Sequence, residues 1–92
     1  MIAIVLGSRF VRATRRLSPD SRAKAEAVLH AVAEHFGNPH LHAGLGLRKL
    51  AKRLWECRID LQWRIVLIQD QTRLRAYDIM THNELRAWLR GR

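Results

Sequence analysis

Three runs of strand-forming residues follow one another so closely that the second half of the chain can hardly avoid an antiparallel meander. Arg53–Asp60 holds Leu54, Trp55, Cys57 and Ile59, Trp63–Gln69 holds Ile65, Val66, Leu67 and Ile68, and Leu74–Met80 is the third. The polar turn Asp70-Gln71-Thr72-Arg73, and the shorter link before it, leave no room for a crossover helix, so neighbouring strands pair antiparallel. The almost unbroken apolar character of Trp63–Gln69 marks it as the central strand. Arg64 stands inside it and shares a face with Val66 and Ile68, because side chains alternate along a strand. A charge there is costly unless it meets a partner or a ligand. Two readings stay open: an ion pair with Glu56 or Asp60 across the hairpin, or a phosphate-binding arginine on a concave sheet face.

The first half supplies a strand and helices. Ile2–Leu6 is a short β-type run, and Phe10, Val11, Thr14 and Leu17 follow at helical spacing. Ser18-Pro19 starts a second helix, with Ser18 as N-cap and Pro19 at the first helical position. Ala25, Val28, Leu29, Val32 and Phe36 form its apolar stripe, and Gly37 stops it. Asn38–Gly46, with Pro39, Gly44 and Gly46, reads as loop. Leu85, Trp88 and Leu89 give a short closing helix, which Thr81 caps, with Glu84 completing a capping box. The expected fold is α+β over residues 1–92 as one domain. An N-terminal strand and a helical hairpin pack on a small antiparallel sheet, and a short C-terminal helix closes it.

Composition narrows the function. With 48% apolar residues and three tryptophans, the 92-residue chain can bury a core. The lone cysteine, Cys57, cannot form an internal disulfide, and the N-terminal apolar run is too short for a signal peptide or a membrane span, so the chain reads as cytoplasmic. Seventeen Lys and Arg against eight Asp and Glu give a net charge of +9, and arginine supplies fourteen of the seventeen. Arginine's planar fork suits bidentate phosphate binding, so nucleic acid is the favoured partner over a merely solvated basic surface or an acidic protein.

Six of those cations, Arg48, Lys49, Lys52, Arg53, Arg58 and Arg64, fall between Arg48 and Arg64 against two acids, Glu56 and Asp60. Glu56 and Arg58 share one face of their strand. His82, just past the last strand, is of the residue type that titrates near neutrality and serves as an acid–base catalyst. His40 and His42 have ligand-like spacing but no Cys or carboxylate beside them, so no metal and no cofactor is expected. Cys57 has no neighbouring base and reads as a core residue rather than a nucleophile. Gly44-Leu45-Gly46 is too short for a phosphate loop. The three tryptophans read as core or interface.

In order and spacing these pieces resemble the RelE/ParE toxin superfamily across nearly the whole chain. Leu47-Arg48-Lys49-Leu50 is similar to the family's basic loop, Leu54-Trp55-Glu56-Cys57-Arg58 to its "L-W-E-x-R" strand, and Trp63-Arg64-Ile65-Val66 to its "Y-R-V" strand. Thr81-His82-Asn83-Glu84-Leu85 resembles the "T-H-D-E" ending of many RelE and HigB-like members. The resemblance implies the toxin of a toxin–antitoxin pair, with a cognate antitoxin as partner, that cleaves messenger RNA on the ribosome without a metal. It places Arg58 and Arg64 on the scissile phosphate and His82 at a catalytic position. It also has Glu84 orient His82, and Arg48, Lys49, Lys52 and Arg53 hold the RNA. Trp88 stands where some members carry a catalytic tyrosine, and Trp63 replaces the usual aromatic-hydroxyl residue before Arg64, so a scheme that needs a tyrosine does not fit, whereas a histidine scheme does. Two other functions compete: the ParE branch, which inhibits DNA gyrase by binding, and a non-catalytic RNA- or ribosome-binding module.

Overall fold

Pairing partners decide the layout of the sheet, and the computed structural model, which describes residues 1–92, places five strands in it. They are β1 (Ala3–Leu6), β2 (Leu47–Ala51), β3 (Leu54–Arg58), β4 (Trp63–Asp70) and β5 (Arg73–Thr81), in the order β1-β5-β4-β3-β2. The most apolar strand, β4, is therefore central, as its composition demands. Strands β2 to β5 form the antiparallel meander, whereas β1 joins β5 in parallel, with Ala3 opposite Arg73. The sheet is thus mixed, and the N-terminal strand is part of it rather than a layer against it.

The helices are α1 (Ser8–Ala13), α2 (Pro19–His35), α3 (Pro39–Leu45) and α4 (His82–Arg90), with a 3₁₀ turn at Thr14–Arg16. Ser18 caps α2, its Oγ accepting the Ser21 N–H at 3.1 Å, and Thr81 with Glu84 forms the capping box of α4. Two expectations are corrected. Asn38–Gly46 is not a loop, because Pro39 opens α3 and Gly46 closes it in the left-handed region at φ 70°. Those are the ordinary positions of proline and glycine at helix ends. Leu47–Leu50 is not a loop either: it pairs with β3 as the far edge strand. A register shift between Lys49 and Ala51 hides its alternation from a period-two reading.

Alternation along the strands divides the molecule. One face of the sheet, with Cys57, Ile65, Leu67, Leu74, Ala76 and Ile79, packs against Phe10, Leu17, Ala25 and Val32 from the helical layer. The other face carries a smaller cluster, Leu54, Val66 and Met80, covered by Leu85 of α4. Beyond α4 this second face is open, and there the charged residues of β2, β3 and β4 meet. No helix is long and apolar enough to cross a membrane.

Candidate functional site

Strand register brings the charges together. Arg58 lies directly opposite Arg64 across β3 and β4, and Arg48 directly opposite Glu56 across β2 and β3. Side chains opposite one another on one face stand about 5 Å apart at Cβ, and like charges so placed repel. Glu56 offsets part of this. Nearly buried, it accepts from Arg48 Nη2 at 2.7 Å and lies 3.5 Å from Arg64 Nε. Arg64 is also buried, and its Nη1 donates to the carbonyls of Asp60 at 2.7 Å, Trp63 at 3.1 Å and Leu61 at 3.4 Å. It therefore has the protein partners that an arginine on this strand requires, and it fixes the turn between β3 and β4. Arg58, by contrast, is exposed and has no ion-pair or hydrogen-bond partner for its guanidinium.

These residues line a cleft of about 350 Å³. Arg48, Glu56, Arg58, Arg64 and His82 line it, together with Gly46 and Leu47 at the junction of α3 and β2. Three arginines against one glutamate leave the cleft with two uncompensated positive charges and hence a positive local potential. Gly46, which the sequence suggests only as a loop glycine, is part of the cleft. A Cβ there would lie 2.9 Å from the Cβ of Arg58, and the Gly46 carbonyl accepts the Arg58 N–H at 3.1 Å. Glycine is needed both for its backbone conformation and for the close approach that seats Arg58. The signal available in the sequence was a glycine immediately ahead of a basic strand.

His82 is the first residue of α4, with its N–H donated to the Gln62 carbonyl at 3.2 Å and its side chain exposed at the cleft. Asp60 braces the same turn from below. Burial works against its ionisation, but bonds from Ser21, Trp63 and Gln62 outweigh that and hold its carboxyl below the usual range.

The other expected residues fall elsewhere. Glu84 does not line the cleft: Arg16 grips it with two bonds of 3.0 and 3.2 Å, and Oε1 also accepts the Thr81 N–H at 2.8 Å. The Arg16 bond, followed by the Thr81 bond, holds the Glu84 carboxyl below its ordinary value. No bond joins Glu84 to His82. Lys49 lies on the opposite face, its ammonium 5.9 Å from the Trp55 ring centroid. Lys52 and Arg53 form the tip of the β2–β3 hairpin, and Lys52 is about 13 Å along the strand from Arg48. Cys57 is buried and donates to the Leu45 carbonyl at 3.4 Å; burial, then Glu56, pushes its thiol up to about 12, which leaves it inert. His42 joins Phe36 and Trp55 in a three-ring cluster. Trp88 stacks on Tyr77 at 5.8 Å beneath α4, away from the cleft.

A second, larger groove of about 690 Å³ runs between β1 and the helical layer. Ile2, Ile4, Leu6, Phe10 and Leu29 line it, and it is mainly apolar. It adjoins the free edge of β1.

Neither the family models nor the curated proteins give a match for this chain. Solved structures do. A chain of the RelB–RelE antitoxin–toxin complex from Methanococcus jannaschii superposes with a TM-score of 0.72 at 9% identity, covering 91% of this chain and 96% of that one. The fold is that of the RelE-type toxins. YafQ from E. coli strain BL21(DE3) gives 0.67 at 16% identity, with 92% and 98% covered. The YoeB–YefM complex from Staphylococcus aureus gives 0.61 at 17% identity, with 89% and 98% covered. The similarity of fold thus extends over nearly the whole chain.

Proposed function

We propose that this protein is the toxin of a toxin–antitoxin pair and works in the cytoplasm as a metal-independent endoribonuclease on messenger RNA engaged with the ribosome. The observation that carries this reading is the pair of opposed arginines, Arg58 and Arg64, sharing one cleft with His82. Cleavage in such a site forms a bond from a ribose 2′-oxygen to the adjacent phosphorus and breaks the bond from phosphorus to the 5′-oxygen. The products are a 2′,3′-cyclic phosphate and a 5′-hydroxyl. One proton leaves the attacking oxygen and one reaches the departing oxygen, and His82 is the group placed to carry a proton. Negative charge grows on the phosphorane, and preformed donors aimed at such charge supply much of catalysis. Arg58 has its guanidinium free for that task, Arg48 faces the same space, and Arg64 holds the turn and the local field. Lys49, Lys52 and Arg53 stand outside the cleft, where they would hold RNA farther along its backbone.

A partner protein fits the rest of the surface. The neighbours include complexes of toxins with antitoxins. A chain of charge +9 with an apolar groove beside an open strand edge suits an acidic antitoxin segment bearing an apolar ridge.

The test is incubation of the purified protein with translating ribosomes in chelator, followed by mapping of messenger 5′ ends. New ends with 5′-hydroxyls are expected, and His82→Ala should slow their appearance by about 10²–10⁴-fold, the range for loss of a general acid or base. Intact messenger with wild-type protein, together with inhibited gyrase supercoiling, would transfer the chain to the gyrase-inhibiting branch.

A further inference from the structure

Arg16 ends the 3₁₀ turn and lies outside the cleft, yet it ties together the pieces of chain that place His82. Its guanidinium grips both oxygens of Glu84, at 3.0 and 3.2 Å, and lies over the Trp63 ring with its carbon 4.8 Å from the ring centroid. Glu84 accepts the Thr81 N–H, and Thr81 Oγ1 accepts the Glu84 N–H at 3.1 Å. Trp63 stands opposite Thr81 in the β4–β5 ladder and immediately precedes Arg64. The backbone of His82 is thus held from several sides: the Thr81–Glu84 capping box spans it, Gln62 accepts its N–H, and Arg16 ties that box to Trp63 of β4, while the imidazole itself stays exposed.

We infer that Arg16 is a positioning residue for His82, acting through the Glu84 carboxylate and the Trp63 ring. This rests on the ribonuclease reading of the cleft. The pair is half exposed, at 47% and 45% for the two side chains, so its contribution to folding is small. Its geometry, however, is the specific kind: a bidentate fork plus a stacked plane, which lysine cannot reproduce. Misplacing a catalytic group by about 1 Å costs up to about 10²-fold in rate, so a residue of little value to stability can be of large value to turnover.

The experiment is single-turnover cleavage on ribosomes with Arg16→Ala, Arg16→Lys and Glu84→Gln, each also combined with His82→Ala. Arg16→Ala should lower the cleavage rate by about 10–100-fold while RNA affinity and melting temperature stay nearly unchanged. Arg16→Lys should recover only part of that loss, and Glu84→Gln should not add to Arg16→Ala, because both break one clamp. On the His82→Ala background the Arg16 substitution should be silent. An equal loss with and without His82, or a loss that appears in RNA affinity instead of rate, overturns the inference. A wild-type protein that does not cleave RNA defeats the ribonuclease reading separately. The clamp is then read from the His82 ring resonances by nuclear magnetic resonance, and the inference falls if Arg16→Ala leaves them unmoved.

Discussion

The two faces of the sheet use the same four meander strands for opposite ends. Toward α2, side chains such as Ile65, Leu67 and Leu74 are wholly buried in one continuous apolar cluster. Toward α4, the same strands present Arg58, Arg64 and Glu56, with only Leu54, Val66 and Met80 covered by the short helix. Alternation puts the two kinds of residue one position apart, so a single strand contributes both to the free energy of folding and to the site. The difference teaches that parity gives one face wholly to packing, whereas the other divides between the small cluster under α4 and the charged cleft, where buried Arg64 and Glu56 belong to both.

A matched pair of substitutions gives the sharpest break between the faces. Leu67→Ala empties a fully buried position on the core face and should cost about 2–5 kcal/mol of stability, read from the denaturation midpoint. The fraction that remains folded should cleave RNA normally. Arg58→Ala should do the reverse, lowering cleavage about 10²–10³-fold, some 3–4 kcal/mol in barrier, by removing a free donor. Its stability should be unchanged or slightly raised, because a like charge facing Arg64 is lost. If Arg58→Ala melts the protein while Leu67→Ala does not, the division by faces is wrong.

Arg64 tests this overlap. Arg64→Ala removes a buried guanidinium from three carbonyls and leaves Glu56 with Arg48 alone, so it should cost about 3 kcal/mol in folding as well as abolishing cleavage. Unchanged thermal stability would make Arg64 a pure site residue. Gly46→Ala should be milder, about 1–3 kcal/mol, from strain at a left-handed position and crowding of Arg58. It should weaken cleavage more than a change of equal cost on the core face.

The smallest effect is the acid dependence of the clamp at the edge of the cleft. The Glu84 carboxyl is held low by Arg16, so it binds protons less readily folded than unfolded. Its contribution is therefore complete above the ordinary glutamate range and is lost as pH falls through the lowered value. For a pair this exposed the amount is about 0.2–1 kcal/mol. Comparing acid unfolding of wild type and Glu84→Gln measures it, and identical acid limbs would show that the clamp adds nothing to folding.

The local chemistry of the chain settled a good deal of this. Trp63–Gln69 reads as a buried central strand because its apolar run is short, rich in β-branched residues and closely followed by a polar turn. Ser18-Pro19 and Thr81 with Glu84 mark helix starts because the bonds that cap a helix lie within three residues of one another. The face shared by Glu56 and Arg58 follows from parity. Local signals stopped where the pattern was broken or the partner was distant. The bulge after Lys49 concealed β2, and Gly44 inside α3 made a short helix look like a loop. Nothing near Ala3 says that it will pair with Arg73, and nothing near Glu84 says that Arg16, 68 residues earlier, will claim it instead of His82. Nor does the run from Arg48 to Arg53 reveal that Arg48 enters the cleft while Lys49 turns to the other face and Lys52 lies at the hairpin tip. The sequence alone determined the meander, the caps and the stock of positive charge, because each depends on spacings of a few residues. Which charges share a cleft was decided by register and packing between distant segments, whose free energy exists only once the chain has closed on itself.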